Sequence, residues 1–151
     1  MVATPLIGLI LFGLQLAVVF FFDEALQTVT QQAARMLMVG TAQQANMTQA
    51  QFATAVCAQA PSAFTCSKMM IDVESFNGYS SASTSPISPY NSDGSLKTLS
   101  YSPGTPGSIV VIRLMYPWPV ISGPFNFGLA NESNGTHLLV GTAVVKNEPY
   151  Q

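Results

Sequence analysis

From Met1 to Phe22 the chain carries no charged side chain, and Gln15 is the only strongly polar one in that run. As a helix this stretch reaches about 33 Å at 1.5 Å per residue, enough to cross a hydrocarbon core. Past Phe22 the pattern changes without a break. Leu26, Val29, Ala33, Met36, Leu37 and Gly40 recur at steps of three and four, and Gln27, Thr28, Gln31, Gln32 and Arg35 occupy the other face. One helix is therefore predicted from about Thr4 to about Thr41, apolar all round in its first half and amphipathic in its second. Pro5 is tolerated in a first turn, with Thr4 as a candidate cap. A second helix is predicted to start at Thr48, where Gln51 completes a capping-box pattern, and to end near Gln59 before Pro61.

Three later segments read as strands. In 68–74, Met69, Ile71 and Val73 share one face, while Lys68, Asp72 and Glu74 share the other, exposed one. In 108–116, Val110, Ile112, Leu114 and Tyr116 point inward, with Arg113 outward near Asp72 or Glu74. In 137–145, Gly141 and Ala143 leave room for the long helix to lie close. The fold class expected is α+β. The amphipathic half of one long N-terminal helix packs on a small antiparallel sheet of about three strands, and the apolar half protrudes.

The remaining stretches are less regular. Residues 76–107 are loaded with Ser, Pro, Gly, Asn and Thr and read as an exposed excursion, with a short hairpin around Asn91–Gly94. After the second strand, Pro117-Trp118-Pro119-Val120-Ile121 and Phe125-Asn126-Phe127 put apolar groups into a loop. Two readings stand for it: a satellite core under the loop, or a contact surface for neighbouring subunits built on Trp118, Ile121, Phe125 and Phe127.

Composition narrows the function. Charged residues are 8% of the 151, against about 25% in typical soluble domains, and the apolar run accounts for much of the deficit. The net charge is −2 and the five Lys/Arg are scattered, so neither nucleic acid nor a polybasic membrane footprint is indicated. Asp23 and Glu24 flank the run on its C-terminal side, which places the residues beyond Phe22 outside the cytoplasm; cytoplasmic cations would have to precede Met1. No basic residue precedes the run and no A-x-A-like site closes it, which disfavours a cleaved signal peptide.

Cys57 and Cys66, the only cysteines, bound a short loop containing Pro61 and suit a disulfide formed in an oxidising compartment; two unrelated thiols are the alternative. No metal-ligand cluster, cofactor fingerprint or phosphate-cradling glycine loop is present, and His137 is the only histidine, with no acid beside it. Neither catalysis nor a cofactor is expected.

The run Pro5–Phe22, the segment Asp23-Glu-Ala-Leu-Gln-Thr-Val-Thr-Gln-Gln-Ala-Ala-Arg35 and Gly40 resemble TadE-like pilins of the tight-adherence (Flp-type) system. So do the Cys57/Cys66 pair, the Tyr116-Pro-Trp-Pro119 turn and the closing Ala143-Val-Val-Lys-Asn-Glu-Pro-Tyr150. The likeness spans the chain except residues 76–107. It implies a subunit cut by a prepilin peptidase, held in the inner membrane, then drawn by an assembly machine into an extracellular filament that supports adhesion. Family members carry a glutamate before or early in the apolar helix, whereas this chain has none before Glu24.

On that reading residues 1–22 form the membrane or filament-core helix. Residues 23–151 form the extracytoplasmic head, built on the helix continuation 23–41. Candidate core contacts between subunits are Leu6, Gly8, Leu9, Phe12 and Gly13, then Gln15, Leu16, Val19 and Phe20. Small residues permit close helix approach. Gln15, buried among apolar helices, needs a partner, either on a neighbouring copy or within its own helix. Leu26, Val29, Ala33, Met36, Leu37 and Gly40 are the candidate helix-to-head contacts. The competing reading is a permanently membrane-tethered periplasmic module that does not form the bulk of a filament.

Overall fold

The structure, a computed structural model, describes residues 3–120, 129–132 and 135–149. Helix α1 runs Ala3–Met38, about 54 Å of continuous helix. It stops short of Thr41 because Gly40 takes a left-handed conformation (φ 79°) and its N–H donates to the Leu37 carbonyl. A short turn α2, Thr41–Gln44, leads to α3, Gln49–Cys57. At the start of α3 the predicted capping box is present. The Gln51 N–H donates to Thr48 Oγ1 (3.3 Å) and the Thr48 N–H to Gln51 Oε1 (2.9 Å). Cys57 and Cys66 form a disulfide with Cα atoms 5.7 Å apart.

Strands β1 (Met70–Phe76), β2 (Ile109–Pro119) and β3 (Thr136–Lys146) form an antiparallel sheet in the order β1-β2-β3. β1 begins two residues later than the alternation suggests, because Cys66–Lys68 is a 3-10 turn. The Thr65 N–H leading into that turn donates to the Tyr116 hydroxyl. The inner face of the sheet, with Val73, Val110, Ile112 and Leu114, packs on α1 and α3 in one buried cluster. Leu26, Val29, Ala33 and Leu37 of α1 are buried there, Gly40 is buried at the helix break, and Met36 is half-buried. Gly141 sits against the helix. A Cβ there would lie 3.1 Å from Thr30 Cβ and 3.2 Å from the Leu26 carbonyl oxygen, so only glycine lets strand and helix approach this closely.

One expectation needs correction. The outer face of the sheet is covered over the middle of β1 and β2, although Val144 of β3 stays exposed. Asp72 and Arg113, opposite each other in the register, are 3% and 1% accessible, and Val111 and Met115 beside them are buried. The excursion 76–107 is largely exposed, as expected, but it is anchored to the sheet. It closes over that face, with the Ser83 carbonyl accepting from Arg113 (2.6 Å), and returns along the outer edge of β1. There Val73 exchanges backbone hydrogen bonds with Ser100 and Ser102. Within it, the Asn91–Gly94 turn pairs Tyr90 with Leu96. Gln27, on the other face of α1 as expected, is half-buried. Its amide pairs with the backbone of Thr142 on the outer edge of β3.

Candidate functional site

The apolar half of α1 projects from the head. Leu6 and Leu9 are 56% and 64% accessible, and Phe20 is 66%. Around Gly13 nothing lies within 4 Å of where a Cβ would stand. Gly8, Phe12, Gln15 and Leu16 are half-buried. Among the described residues α1 is the one helix long and apolar enough to cross a membrane, by length and composition.

Val19 differs from its neighbours and from its expected role. It is buried, and it belongs to the core of the head. The sheet meets the helix one turn earlier than Asp23 because β2 continues through Pro119. Phe22 stacks on Trp118, with ring centroids 4.0 Å apart and planes inclined by 26°. Phe64, from the loop that the disulfide closes, meets Phe22 edge-on at 5.6 Å and Tyr116 edge-on at 5.0 Å. Such offset and edge-to-face contacts suit the ring quadrupoles. Val120 and Leu129 pack partly against the same cluster.

Trp118 is therefore a strand residue, not a loop residue, and it packs partly against the core, as the satellite-core reading expects, while staying half-buried. It lies in β2, opposite His137, with its ring on the chain's own helix. The prolines on either side of it hid the strand. They are tolerated because β1 pairs with β2 only as far as Met115, so on that side no strand awaits their missing N–H groups. The signal was there in the alternation Leu114, Tyr116, Trp118. Ile121, Phe125 and Phe127 lie outside the described residues.

The polar candidates resolve structurally. His137 Nδ1 contacts the Leu129 carbonyl at 2.5 Å. Arg113 Nη1 bonds Asp72 at 2.7 Å and Glu74 at 2.9 Å, so the two acids serve one buried cation. The other Asp72 oxygen accepts the Ser100 N–H. Among the described residues no group of three or more His, Cys, Asp or Glu side chains is placed to hold a metal ion.

Fold and site together define an α+β protein with a candidate membrane-crossing helix rooted in a disulfide-closed head. No family model, curated protein or solved structure matches the chain.

Proposed function

We propose that this protein is a TadE-like pilin, a structural subunit of a tight-adherence surface filament rather than an enzyme. The observation that carries the reading is the continuity of α1. One unbroken helix is the buried spine of the head from Leu26 to Leu37 and an exposed apolar rod before Val19. A rod of that kind has two apolar environments open to it, a bilayer and the packed helices of other subunits. The exchange between them costs little because both are apolar. The subunit waits in the inner membrane after a prepilin peptidase has acted. The assembly machinery then draws it onto copies of itself or other pilins, and the filament attaches the cell to surfaces. Gly8 and Gly13 allow close approach, and Gln15 supplies a polar contact within the packed helices.

One observation favours a second reading, a permanently tethered periplasmic module or minor pilin. The aromatic cluster on Phe22 roots the head at the edge of the apolar segment. Electron microscopy of sheared surface material, with mass spectrometry of the intact subunit, separates the two. Filaments containing this chain are expected, and retention of all copies in the inner membrane would overturn the filament reading. Gln15→Leu is expected to lower filament yield with the head still folded, and His137→Ala to leave assembly unchanged.

A further inference from the structure

The rooted end of the sheet has a position that can be read from its partners. β3 lies along α1 and runs in the same direction. Gln27 meets Thr142, and further on the Glu148 N–H donates to the Met38 carbonyl. From Thr142 back to Thr136, the start of β3, is about 20 Å of strand at roughly 3.3 Å per residue. From Gln27 back to Phe22 is only about 7.5 Å of helix. The sheet therefore overhangs Asp23 and ends beside the last apolar turns of α1. The burial of Val19 and the Phe22–Trp118 stack record the same overlap.

At this level aromatic side chains surround the helix. Phe22 lies on the head side beneath Trp118, while Phe20 and Phe21, 66% and 67% accessible, point to the free sides. The segment from Tyr116 to Val120 carries no charge. Glu132 and His137 sit at the same end, however, and a carboxylate is excluded from the acyl core far more strongly than from the headgroup layer. A tryptophan beside the last apolar turns of a helix, just before its first charges and with ionisable groups close by, has the placement of a membrane–water boundary residue, and Phe20 and Phe21 add apolar contact on the acyl side.

We propose that this end of the sheet is a lipid-contact surface. While the subunit is in the membrane, the head sits on the bilayer with Trp118, Phe20 and Phe21 at the boundary between headgroups and acyl chains. The proposal rests on the reading of α1 as a membrane span and adds a second contact to it. The span alone would leave the head free to stand off the surface. The sheet end fixes its depth and orientation, because it cannot leave the interface without breaking the Phe22–Trp118 stack or lifting Phe20 and Phe21 into water.

Trp118 is the only tryptophan, so fluorescence reports this surface directly. The test uses the full chain in phosphatidylethanolamine–phosphatidylglycerol vesicles whose acyl chains carry bromine near either the carbonyl or the methyl end. Quenching strongest with bromine at the carbonyl end, together with protection from aqueous iodide, is expected. Replacing Phe20 and Phe21 by Ser should red-shift the emission and increase iodide quenching. The lipid contact is refuted if Trp118 is open to iodide and insensitive to bromine while the protein survives an alkaline carbonate wash. Protection from both quenchers would refute it too, since protein, whether the chain's own packing or a second copy, and not lipid, would then cover Trp118. Strongest quenching at the methyl end would refute the interfacial depth. Loss of the protein in the carbonate wash would instead remove the membrane span itself, and the proposal with it.

Discussion

The side-chain amide of Gln27 pairs with both backbone groups of Thr142, donating to its carbonyl at 3.0 Å and accepting its N–H at 3.1 Å. A helix side chain thus stands where the next strand of the sheet would be, and it satisfies part of the open edge of β3. Gln27→Ala is expected to cost about 1–3 kcal/mol, since it leaves two partly buried backbone groups without partners. Faster hydrogen exchange at the Thr142 amide would show it. Gln27→Glu keeps the acceptor but sets a carboxylate oxygen against the Thr142 carbonyl. That repulsion raises the folded-state pKa of the new carboxyl. Its stability deficit is therefore present at neutral pH and is recovered as the pH falls through the carboxyl range, which denaturation at two pH values would reveal.

The Arg113 guanidinium holds three groups on two parts of the molecule: Asp72 and Glu74 on β1, and the Ser83 carbonyl of the excursion. Arg113→Met is expected to cost about 3–5 kcal/mol, because the Asp72 carboxylate stays buried without its cation. Limited proteolysis should then cut within residues 76–107 faster than in the parent protein. Adding Asp72→Leu should restore much of the stability, since the penalty lies in the unpaired charge. Protease sensitivity should remain, because the bonds from Arg113 to the Ser83 carbonyl and from the Ser100 N–H to Asp72 are both gone, leaving only the backbone bonds to Val73.

The parts of the fold that were legible in the sequence are those where one face is apolar and the other polar. Val110, Ile112 and Leu114 alternate, and Leu26, Val29, Ala33 and Leu37 recur at helical spacing, so period alone assigns them. Thr48 and Gln51 were legible because a cap is a local interaction. Asp72 and Arg113 misled because their cover is a Ser/Pro/Gly-rich excursion without periodicity, and polar residues under such a cover look like a solvated face. Val19 and Phe22 were illegible for the opposite reason. In a run where nearly every side chain is apolar, period alone does not separate a position that faces lipid from one that faces the chain's own sheet. Only the extension of β2 past Pro117 reveals the junction.

Gly141→Ala tests the close approach of β3 to α1. The added methyl meets Thr30 and the Leu26 carbonyl, and backbone cannot yield as a flexible side chain does. A loss of about 1–3 kcal/mol is expected from overpacking. Thr30→Ala removes one of the two obstructions, along with the bond from Thr30 Oγ1 to the Leu26 carbonyl (2.8 Å). Combining it with Gly141→Ala should cost less than the sum of the single changes. Strict additivity in denaturant titrations would mean the strand moves away from the helix instead.

Tyr101 packs its ring on Phe52, with centroids 5.6 Å apart, and its hydroxyl has no hydrogen-bond partner among the described residues. Burial raises its pKa above 10.0. In the unfolded chain the phenol ionises near 10, so folding stability from this group is intact below that pH and is lost as pH rises through the folded-state value. Tyr101→Phe is expected to be neutral or slightly stabilising at pH 7, because it removes an unsatisfied hydroxyl. It should lose less stability than the parent between neutral pH and about pH 11. Comparing the two proteins by denaturation at both pH values cancels the titration of other tyrosines and lysines.

The disulfide bears on the Trp118 end of the sheet through Phe64. That ring lies within the loop closed by Cys57 and Cys66, and it touches Phe22, Tyr116 and Trp118. With the cysteines nine positions apart, the cross-link is expected to contribute about 2.5 kcal/mol by restricting the unfolded chain. Replacing both cysteines by Ser should lower stability by about that amount. It should also loosen the packing of Phe64, so Trp118 emission should shift before the global unfolding transition. A single transition, with the emission unchanged up to the midpoint, would show that the Thr65 N–H bond to the Tyr116 hydroxyl is enough to hold the loop without the cross-link.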